Sequence, residues 1–550
     1  MKNSQARTFP LHLIKEKHAS TKHAAGAAHN NPLPGDSNDS HSQWSMRRRL
    51  AAQDGPRSAV LDSLHRDLEG WRLLGANSSR FPDMESTLCR IVANRPDRGK
   101  GNPTLSNTVL LRSLNGGLSA AVLIDPADSA GPAGHWPARA VAMLLQLSVL
   151  QEAINVGTLD PLPDFVALLN PHDMPRQASR TTNWAGLLPI LSSSRRRRIL
   201  KHRDLLMPDY SFSPSAYLTS GLWQSGRNRT DNASRRWEAA VPRGWPDEFR
   251  AILRAGRSAA WREKERTLFW RGARTHNMRG KYAHALLSGQ VHLPAGIKAD
   301  IQPPCVGHCS AEQGAVPPSS WCRHQLLLSL PGVSFAVGFK YLLLCGSLIV
   351  RGAANGTVPE FEQWFHPGLR AQEHFVDSSS IGDLEAVVSE AVSDSTRADA
   401  IATNAREFGE SVLNPTFVLL YWHALLSGYA TLFDWRQALH SGPWLDATEA
   451  CRRRSTPQPL HRAEELCFSC GGGSPLDLSG ETLFSPLPPP AELRPLAASQ
   501  PAAWHRHYAR VLPRRFSVEG READRESRAA LGRYLRRTGG GEARLATPAG

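Results

Sequence analysis

The segment around Asp173 carries the residue types of a general base at the end of a strand. Residues 162–176 read LPDFVALLNPHDMPR, an apolar run closed by Asn170 and followed by a His-Asp pair with a proline on either side. Because proline fixes its own backbone, the carboxylate of Asp173 is predicted to be held where the strand ends. Ligands of open α/β sheets bind at that edge, and a carboxylate there can accept a proton from a hydroxyl group. The competing interpretation is that Asp173 only caps a turn.

A second segment, LFWRGARTHNMRG at 268–280, has the composition of an anion site. A predicted strand ends in an Arg-Gly pair, glycine permits a tight turn, and guanidinium groups match phosphate oxygens. Free backbone N–H groups at the next helix start would add to anion binding. The segment is neither a dinucleotide fingerprint nor a P-loop, and a solvated turn is the alternative. The candidate ligands are Arg271, Gly272, Arg274, Thr275 and Arg279.

A third segment, SLPGVSFAVGFKYLLLCGSLIV at 329–350, places Lys340 at the start of an apolar helix and Cys345 in a tight turn before a buried strand. A nucleophilic thiol needs an electropositive, partly exposed setting, which these leucines do not provide. Cys345 is therefore predicted to be a small core side chain.

The elements that would position these residues form two α/β units. In the first, the pattern predicts a strand at 120–126, a helix at 138–154 and a strand at 164–170, the order typical of a parallel sheet. The second is predicted to contain a helix at 245–265, a strand at 267–273, a helix at 281–289, a helix-turn-strand at 339–352, and helices at 383–394, 397–413 and 417–433. Two such units joined by an irregular stretch leave a cleft in which a ligand can bind.

The composition argues against a nucleic-acid-binding core and against a membrane-spanning segment. The chain has 550 residues and a net charge of +15, of which the first 50 residues carry +5 and the last 50 carry +6. Basic ends attract nucleic acid nonspecifically, but the nearly balanced middle argues against a nucleic-acid-binding core. No apolar run approaches the ~18–20 residues of a membrane-spanning helix, so no transmembrane segment is predicted. Residues 1–20 contain no apolar core of a signal peptide.

Eight cysteines are too few for a disulfide scaffold in a chain of this length. A zinc site is one interpretation, with local disulfides or free thiols favoured over it because the spacing matches no zinc module. The cysteines concerned are Cys305, Cys309, Cys322, Cys467 and Cys470.

Taken in order, these segments resemble the CAP10-type glycosyltransferases, the Rumi-like protein O-glucosyltransferases of glycosyltransferase family 90. LPDFVALLNPHDMP is similar to the first family motif, and residues 189–212 resemble the second through Asp204 and Pro208. WREKERTLFWRGARTHNMR is similar to the third, and the segments FKYLLLCGSLIV, WFHPGLRAQEHFV and IATNAREFGESVL follow the C-terminal half of the family. The resemblance covers roughly residues 160–435.

The resemblance implies a GT-B type fold with two Rossmann-like domains facing across a cleft, a UDP-sugar donor, and no metal. Asp173 takes the place of the catalytic base that deprotonates a serine or glycan hydroxyl, which then attacks the anomeric carbon with inversion. The donor diphosphate is expected to contact the arginine segment, together with Ser334 and Lys340. Transfer of glucose or xylose to a protein or glycan acceptor is expected, with no cofactor and no nucleic-acid partner.

One departure from the family concerns the loop before Lys340. Ala336 and Gly338 stand where the animal enzymes have Ser and Arg, so Ser334 or Lys340 would have to supply the missing donor contact. This departure motivates a second hypothesis, a catalytically weakened homologue that binds a glycan or a protein.

The resemblance also gives the predicted domains and compartment. Residues 1–55 are predicted to be a disordered basic segment, 56–240 and 241–440 the two Rossmann-like domains, and 441–550 a largely irregular extension. Family members generally work in the lumen of the endoplasmic reticulum or Golgi. Glycosylation sequons at Asn38, Asn77, Asn228, Asn232 and Asn355 are compatible with the secretory pathway.

Overall fold

A computed structural model of the chain describes eleven stretches, and all statements below refer to them. They are residues 55–75, 108–124, 135–175, 189–196, 203–214, 244–273, 275–302, 316–353, 361–435, 485–487 and 509–511. The predicted disordered segment falls outside them up to residue 54, as do Arg274 and most of the C-terminal extension.

The first sheet is mixed and is built mainly from the N-terminal half of the chain. Its strands run in the order β13-β2-β1-β3-β4-β6, and β14 also pairs with β2. They are β1 (Thr108–Leu114), β2 (Gly117–Ile124), β3 (Phe165–Asn170), β4 (Ile190–Ser192), β6 (Leu205–Leu206), β13 (Ser485–Pro486) and β14 (Ala509–Val511). Strand β3 is buried along its whole length, which explains its continuous apolar sequence.

One expectation about this sheet needs correction. Strands β2 and β3 are joined through helix α2 (His135–Asn155), as the strand-helix-strand pattern predicts. They are not neighbours, however, because β1 lies between them and is antiparallel to both. The hairpin of β1 and β2 turns at Asn115 and Gly116, which both have positive φ angles of 53° and 76°. The parallel pairs of this sheet are β3 with β4 and β4 with β6.

The second sheet is parallel throughout and consists of β7 (Glu265–Trp270), β8 (Lys298–Ile301), β9 (His324–Ser329), β10 (Leu348–Gly352) and β12 (Val376–Ser378). Its spatial order is β12-β10-β9-β7-β8. If the five strands are numbered along the chain and the sheet is read from β8, this is the doubly wound order 2-1-3-4-5. The winding direction reverses between β7 and β9, and this position is called the reversal point below. Ligands of such sheets bind outside the carboxyl ends of the two strands at this reversal.

Helices cover the second sheet and confirm most of the predicted ones. They are α3 (Trp245–Arg257), α4 (Asn277–Leu287), α5 (Pro318–Trp321), α6 (Phe339–Leu342), α7 (Leu384–Ser393) and α8 (Ser395–Val412). The helix predicted at 245–265 is wrong in its length, because α3 ends at Arg257 and a short 3₁₀ turn leads into β7. At this end of α3, Gly256 lies so close to the carbonyl oxygen of Leu344 that a Cβ would meet it at 2.2 Å.

Two short strands and two helices hold the two halves of the chain together. Strand β5 (Arg195–Arg196) pairs with β11 (Phe361–Glu362), and Arg195 forms ion pairs with Glu362 and with Asp67 of helix α1 (Gly55–Gly75) at 2.6 and 2.7 Å. These two carboxylates raise the pKa of the Arg195 guanidinium above its ordinary value in spite of its burial.

Helix α9 (Pro415–Ala430) belongs to the C-terminal half of the chain but packs on the first sheet. The indole of Trp422 donates to Gln146 of α2 at 3.0 Å, and the Tyr421 hydroxyl donates to the Leu206 carbonyl at 2.9 Å. The ring of Tyr429 also lies edge-on to Phe165 of β3. The segment 241–440, predicted as one domain, therefore supplies one helix to the core of the domain predicted at 56–240.

The structure confirms an α/β protein, supports the disulfide alternative for Cys322 and shows that its partner is Cys345. Cys345 is buried as predicted, but it forms a disulfide with Cys322, so neither is a free thiol and Cys322 is not a zinc ligand here. The other four candidate zinc ligands lie outside the described residues. In the part of the chain that is described, no helix is long and apolar enough to cross a membrane.

Candidate functional site

Asp173 lies in a rigid turn directly after β3. The Asn170 side chain spans this turn, donating to the carbonyl of Met174 at 2.8 Å while its own oxygen accepts from the backbone of His172 at 3.2 Å. The hydroxyl of Ser194 donates to the Asp173 carbonyl at 2.6 Å. The turn is therefore fixed on both sides, and this is the backbone position that the prolines predict.

A guanidinium group holds the carboxylate of Asp173. Arg139, in the first turns of α2, donates to its two oxygens at 2.7 and 3.2 Å, the bidentate geometry that fixes a carboxylate in a plane. The Asp173 side chain remains 27% exposed, so it is accessible to a ligand. Burial alone would lower the pKa of Arg139, but Tyr210 and Asp173 raise it above its ordinary value. Sequence reasoning did not select Arg139, an isolated cation in an apolar helix.

The segment Asp209–Phe212 continues this arrangement toward the second half of the chain. The Arg139 guanidinium stacks on the ring of Tyr210, 4.2 Å from its centre. Burial raises the pKa of the Tyr210 hydroxyl above its ordinary range, so the ring stays uncharged. Asp209 caps the short 3₁₀ turn of this segment by accepting from the backbone of Ser211 at 2.7 Å.

Of the predicted donor ligands, Arg271 lies at the carboxyl end of β7 and is engaged with β8. Its guanidinium donates to the Asp300 carboxylate at 2.7 Å and to the Asp300 carbonyl at 2.9 Å, and it stacks on Phe269 at 4.3 Å. A bound diphosphate would therefore share Arg271 with Asp300. Asp300 was not recognised in the sequence because it comes from a separate strand.

Arg279 fastens the two loops at the reversal point of the second sheet. It donates to the Pro331 carbonyl at 2.9 Å and the Leu330 carbonyl at 3.3 Å after β9, and to the Ala273 carbonyl at 3.0 Å after β7. Burial lowers the pKa of Arg279 to about 10. The structure thus gives Arg279 a positioning role between the two strand ends on which a ligand would lie.

The turn after β7 leads directly into α4. A Cβ at Gly272 would meet the indole ring of Trp270 at 2.8 Å, so this position needs glycine. Thr275 is exposed, and the ring of His276 caps α4 by accepting from the backbone of Met278 at 3.3 Å. The N–H of Arg279 donates to the His276 carbonyl at 3.1 Å, so two N–H groups of this helix start already have partners, and anion binding here stays a prediction.

Ser334 lies in the loop after β9, on the other side of the reversal point. Its side chain is only 4% exposed, and its hydroxyl has no hydrogen-bond partner among the residues that the structure describes. A buried hydroxyl without a partner costs free energy, which a ligand oxygen can recover. The same loop is tightly folded on itself at Gly332, where a Cβ would meet the Phe335 carbonyl oxygen at 2.4 Å.

Lys340 lies in the protein interior, unlike the exposed Thr275. Its side chain is 1% exposed, and its amine donates to the hydroxyl of Ser211 and lies 3.8 Å from the centre of the Phe212 ring. Burial lowers its pKa to about 8. The amine is thus engaged with Ser211, and its predicted contact with a donor phosphate stays a prediction.

In the segment WREKERTLFWRGARTHNMR, the residues before β7 support the edge of the second sheet where its strands begin, opposite the predicted ligands. Lys264 donates to the carbonyls of Cys322 and Cys345 at 2.8 and 2.6 Å, where the disulfide joins the starts of β9 and β10. The Trp261 indole donates to the Gln325 carbonyl at 3.0 Å. This motif therefore divides into a scaffold before β7 and ligand candidates after it.

The structure thus places an oriented carboxylate at the end of one α/β sheet and the predicted anion ligands at the reversal point of a second, parallel one. The chain matches the model of glycosyl transferase family 90 over residues 139–456, more than half of its length, and belongs to that family. The resemblance drawn from the motifs is thereby confirmed.

Curated relatives of this chain include protein O-glucosyltransferase 1 of two mammals. The Rattus norvegicus protein is 23% identical over 283 residues, which cover 50% of this chain and 64% of the relative. The Homo sapiens protein is 22% identical over 290 residues, covering 51% of this chain and 66% of the relative. The chain thus spans just under two thirds of the length of these relatives.

Proposed function

We propose that this chain is an inverting glycosyltransferase that moves glucose or xylose from a UDP-sugar to a serine or glycan hydroxyl without a metal cofactor. In this proposal the two sheets are the two lobes of a GT-B type enzyme, with the acceptor on the first and the nucleotide-sugar on the second. The family membership and the mammalian O-glucosyltransferases support the reaction class and the sugar.

The observation that carries the proposal is the fixation of Asp173. Its backbone is locked by Asn170 and Ser194 and its carboxylate is oriented by Arg139, yet it remains accessible. A carboxylate that only capped its own turn would not need a second side chain to orient it. Its outer lone pairs are available to accept the proton of an acceptor hydroxyl.

The reaction then proceeds in one displacement. Asp173 takes the proton from the acceptor oxygen, that oxygen forms a bond to the anomeric carbon, and the bond from this carbon to the β-phosphate oxygen breaks. The electron pair of the broken bond leaves with UDP, so the sugar configuration is inverted. Because attack and departure occur on opposite faces, the base and the diphosphate site must flank the sugar.

The departing diphosphate requires positive charge and N–H donors. We propose that the guanidinium of Arg271, shared with Asp300, and the positive end of the α4 helix dipole supply them at the reversal point of the second sheet. The Ser334 hydroxyl, which has no partner among the described residues, would add an O–H donor. Arg274 and Thr275 remain proposed ligands, Arg274 lying outside the described residues. These groups would take the part that a metal ion has in other transferases.

The proposed compartment is the lumen of the secretory pathway. A disulfide between Cys322 and Cys345, buried in the second lobe, is typical of proteins that fold under oxidising conditions. The proposed acceptors are accordingly secreted proteins or glycans, and no nucleic acid takes part.

A donor screen by UDP release tests the proposal. The purified chain is expected to hydrolyse UDP-glucose or UDP-xylose slowly, with water as acceptor, to retain activity in EDTA, and to release the inverted anomer by NMR. GDP-mannose serves as the control donor. Binding of UDP with no turnover of any donor would contradict the enzyme and favour the glycan- or protein-binding homologue, which the residues Ala336 and Gly338 motivate.

A further inference from the structure

A path of side-chain contacts and short backbone segments runs from the carboxylate of Asp173 to the donor loop, defined here as residues 331–338. The first link is the bidentate pair of Arg139 with Asp173, and the second is the stacking of Arg139 on Tyr210 at 4.2 Å. Tyr210 lies between Asp209 and Ser211 in a segment that is buried throughout. This segment is therefore the support on which the orienting guanidinium rests.

The next link crosses from the first half of the chain to the second. The Lys340 amine donates to the Ser211 hydroxyl, which in turn donates to the carboxylate of Asp209, and the amine lies 4.0 Å from that carboxylate. Gln363 donates to the other carboxylate oxygen at 2.8 Å. Lys340 is thus the cation of a buried polar cluster formed by both halves of the chain.

Aromatic rings surround the Lys340 amine and restrict its position. It lies 3.8 Å from the ring centre of Phe212, 4.6 Å from that of Trp245 and 5.3 Å from that of Tyr341. Burial lowers the pKa of Lys340 to about 8, although the carboxylates of Asp209 and Glu248 favour its charged form. The amine therefore still carries its proton at neutral pH and can donate.

The last link is the backbone of the donor loop. Helix α6, which carries Lys340, begins directly at the end of this loop, with the backbone N–H of Phe339 donating to the Ala336 carbonyl at 2.9 Å. The other end is fastened by Arg279 to the carbonyl of Pro331. Because the loop continues directly into α6, a ligand that shifts the loop at Ser334 would also shift the helix turn that carries Lys340.

We infer that Lys340 is a positioning residue that couples occupation of the donor loop to the orientation of Asp173, through Ser211, Tyr210 and Arg139. This inference rests on the proposed function, because it assumes that a nucleotide-sugar binds at the donor loop. It goes further by giving the buried cluster a role in orienting the Asp173 carboxylate when the donor is bound.

Hydrogen–deuterium exchange with and without UDP tests the coupling and needs no turnover. In the wild-type chain UDP is expected to slow exchange at least threefold both in residues 331–342 and in residues 203–214. In Lys340→Met, UDP should slow exchange only in 331–342. Lys298→Met, which removes an exposed lysine from β8, is the matched control and should behave as the wild type.

The outcomes separate the two proposals. If UDP protects neither segment of the wild-type chain, donor binding fails and the coupling falls with it. If UDP protects only 331–342 in the wild type, or protects both segments in Lys340→Met, the coupling is wrong while the proposed function stands. Should Lys340→Met fail to fold, Ser211→Ala, which keeps both charges and removes only the connecting hydroxyl, gives the same readout.

Turnover provides an independent test, because a purely structural role of Lys340 would not produce the changes in kcat described next. Lys340→Met is expected to lower kcat for UDP-glucose hydrolysis about tenfold with little change in KM. The loss should not add to that of Arg139→Lys in the double variant, because both act on Asp173 by one route. Additive losses would show that Lys340 acts elsewhere and would overturn the inference.

Discussion

At the scale of single residues, the chemistry depends on how one carboxylate is oriented. The five N–H donors of arginine form a planar fork, and two of them hold Asp173. Lysine in the same place would keep the charge and lose the bidentate geometry. We expect Arg139→Lys to lower kcat about tenfold at an unchanged donor KM. Steady-state kinetics with UDP-glucose measure this, and a variant with full kcat would show that orientation by Arg139 is not needed.

Ser334 allows a second prediction at this scale, because its hydroxyl is buried and has no partner in the described part of the chain. Replacing it by alanine removes an unsatisfied polar group, so Ser334→Ala should be at least as stable as the wild type. If the hydroxyl binds a charged phosphate oxygen, UDP affinity should fall roughly 10- to 100-fold, since such a bond contributes roughly 1.5–3 kcal/mol. Calorimetry with UDP and thermal unfolding test both statements, with Ser393→Ala on the exposed end of α7 as control.

The outcome that would contradict this role is a stability loss together with unchanged UDP affinity. Such a result would mean that the hydroxyl has a structural partner rather than a ligand.

At the scale of elements, the turn between β7 and α4 must stay tight for the arginine segment to lie at the reversal point. A side chain at Gly272 would meet the Trp270 ring at 2.8 Å. Gly272→Ala is therefore expected to lower the free energy of unfolding by about 1–3 kcal/mol and to weaken UDP binding. Gly70→Ala in α1 is the matched control: nothing lies within 4 Å of its Cβ, so it should stabilise by about 0.5–1 kcal/mol. Urea unfolding of both variants distinguishes packing from backbone effects.

Periodicity predicted the long elements of the fold, among them β3, α2 and α9, because each buries a continuous apolar segment. The position of β1 was missed, although the Asn115-Gly116 turn is a strong hairpin signal in the printed sequence. The site divides in the same way. Asp173 follows from a local motif and Ser334 from the family resemblance, whereas the pairs Arg139–Asp173 and Arg271–Asp300 join distant segments. No local pattern reveals which cation reaches which carboxylate.

At the scale of the whole molecule, the buried lysines make stability depend on pH. Burial lowers the pKa of Lys264 to about 8, while in the unfolded chain this amine titrates near 10.5. Between these two values the unfolded state binds more protons, so the free energy of unfolding should rise with pH across this window and be lost again as pH falls through 8. We expect a contribution of about 1–3 kcal/mol.

Urea unfolding at pH 7 and at pH 9.5 measures this change. The rise should be smaller in Lys264→Met, which lacks the amine that donates to the carbonyls of Cys322 and Cys345. An equal rise in both proteins would show that Lys264 is not the group responsible.

The central claim is that Asp173, fixed on one sheet, serves a donor held by the other. The most direct measurement is UDP release from UDP-glucose by Asp173→Asn together with UDP affinity by calorimetry, with Asp62→Asn on the exposed face of α1 as control. The account predicts that Asp173→Asn loses at least about a hundredfold in kcat, within the range of general-base catalysis, while binding UDP as the wild type does. Full turnover in Asp173→Asn, in a protein that still binds UDP, would contradict it.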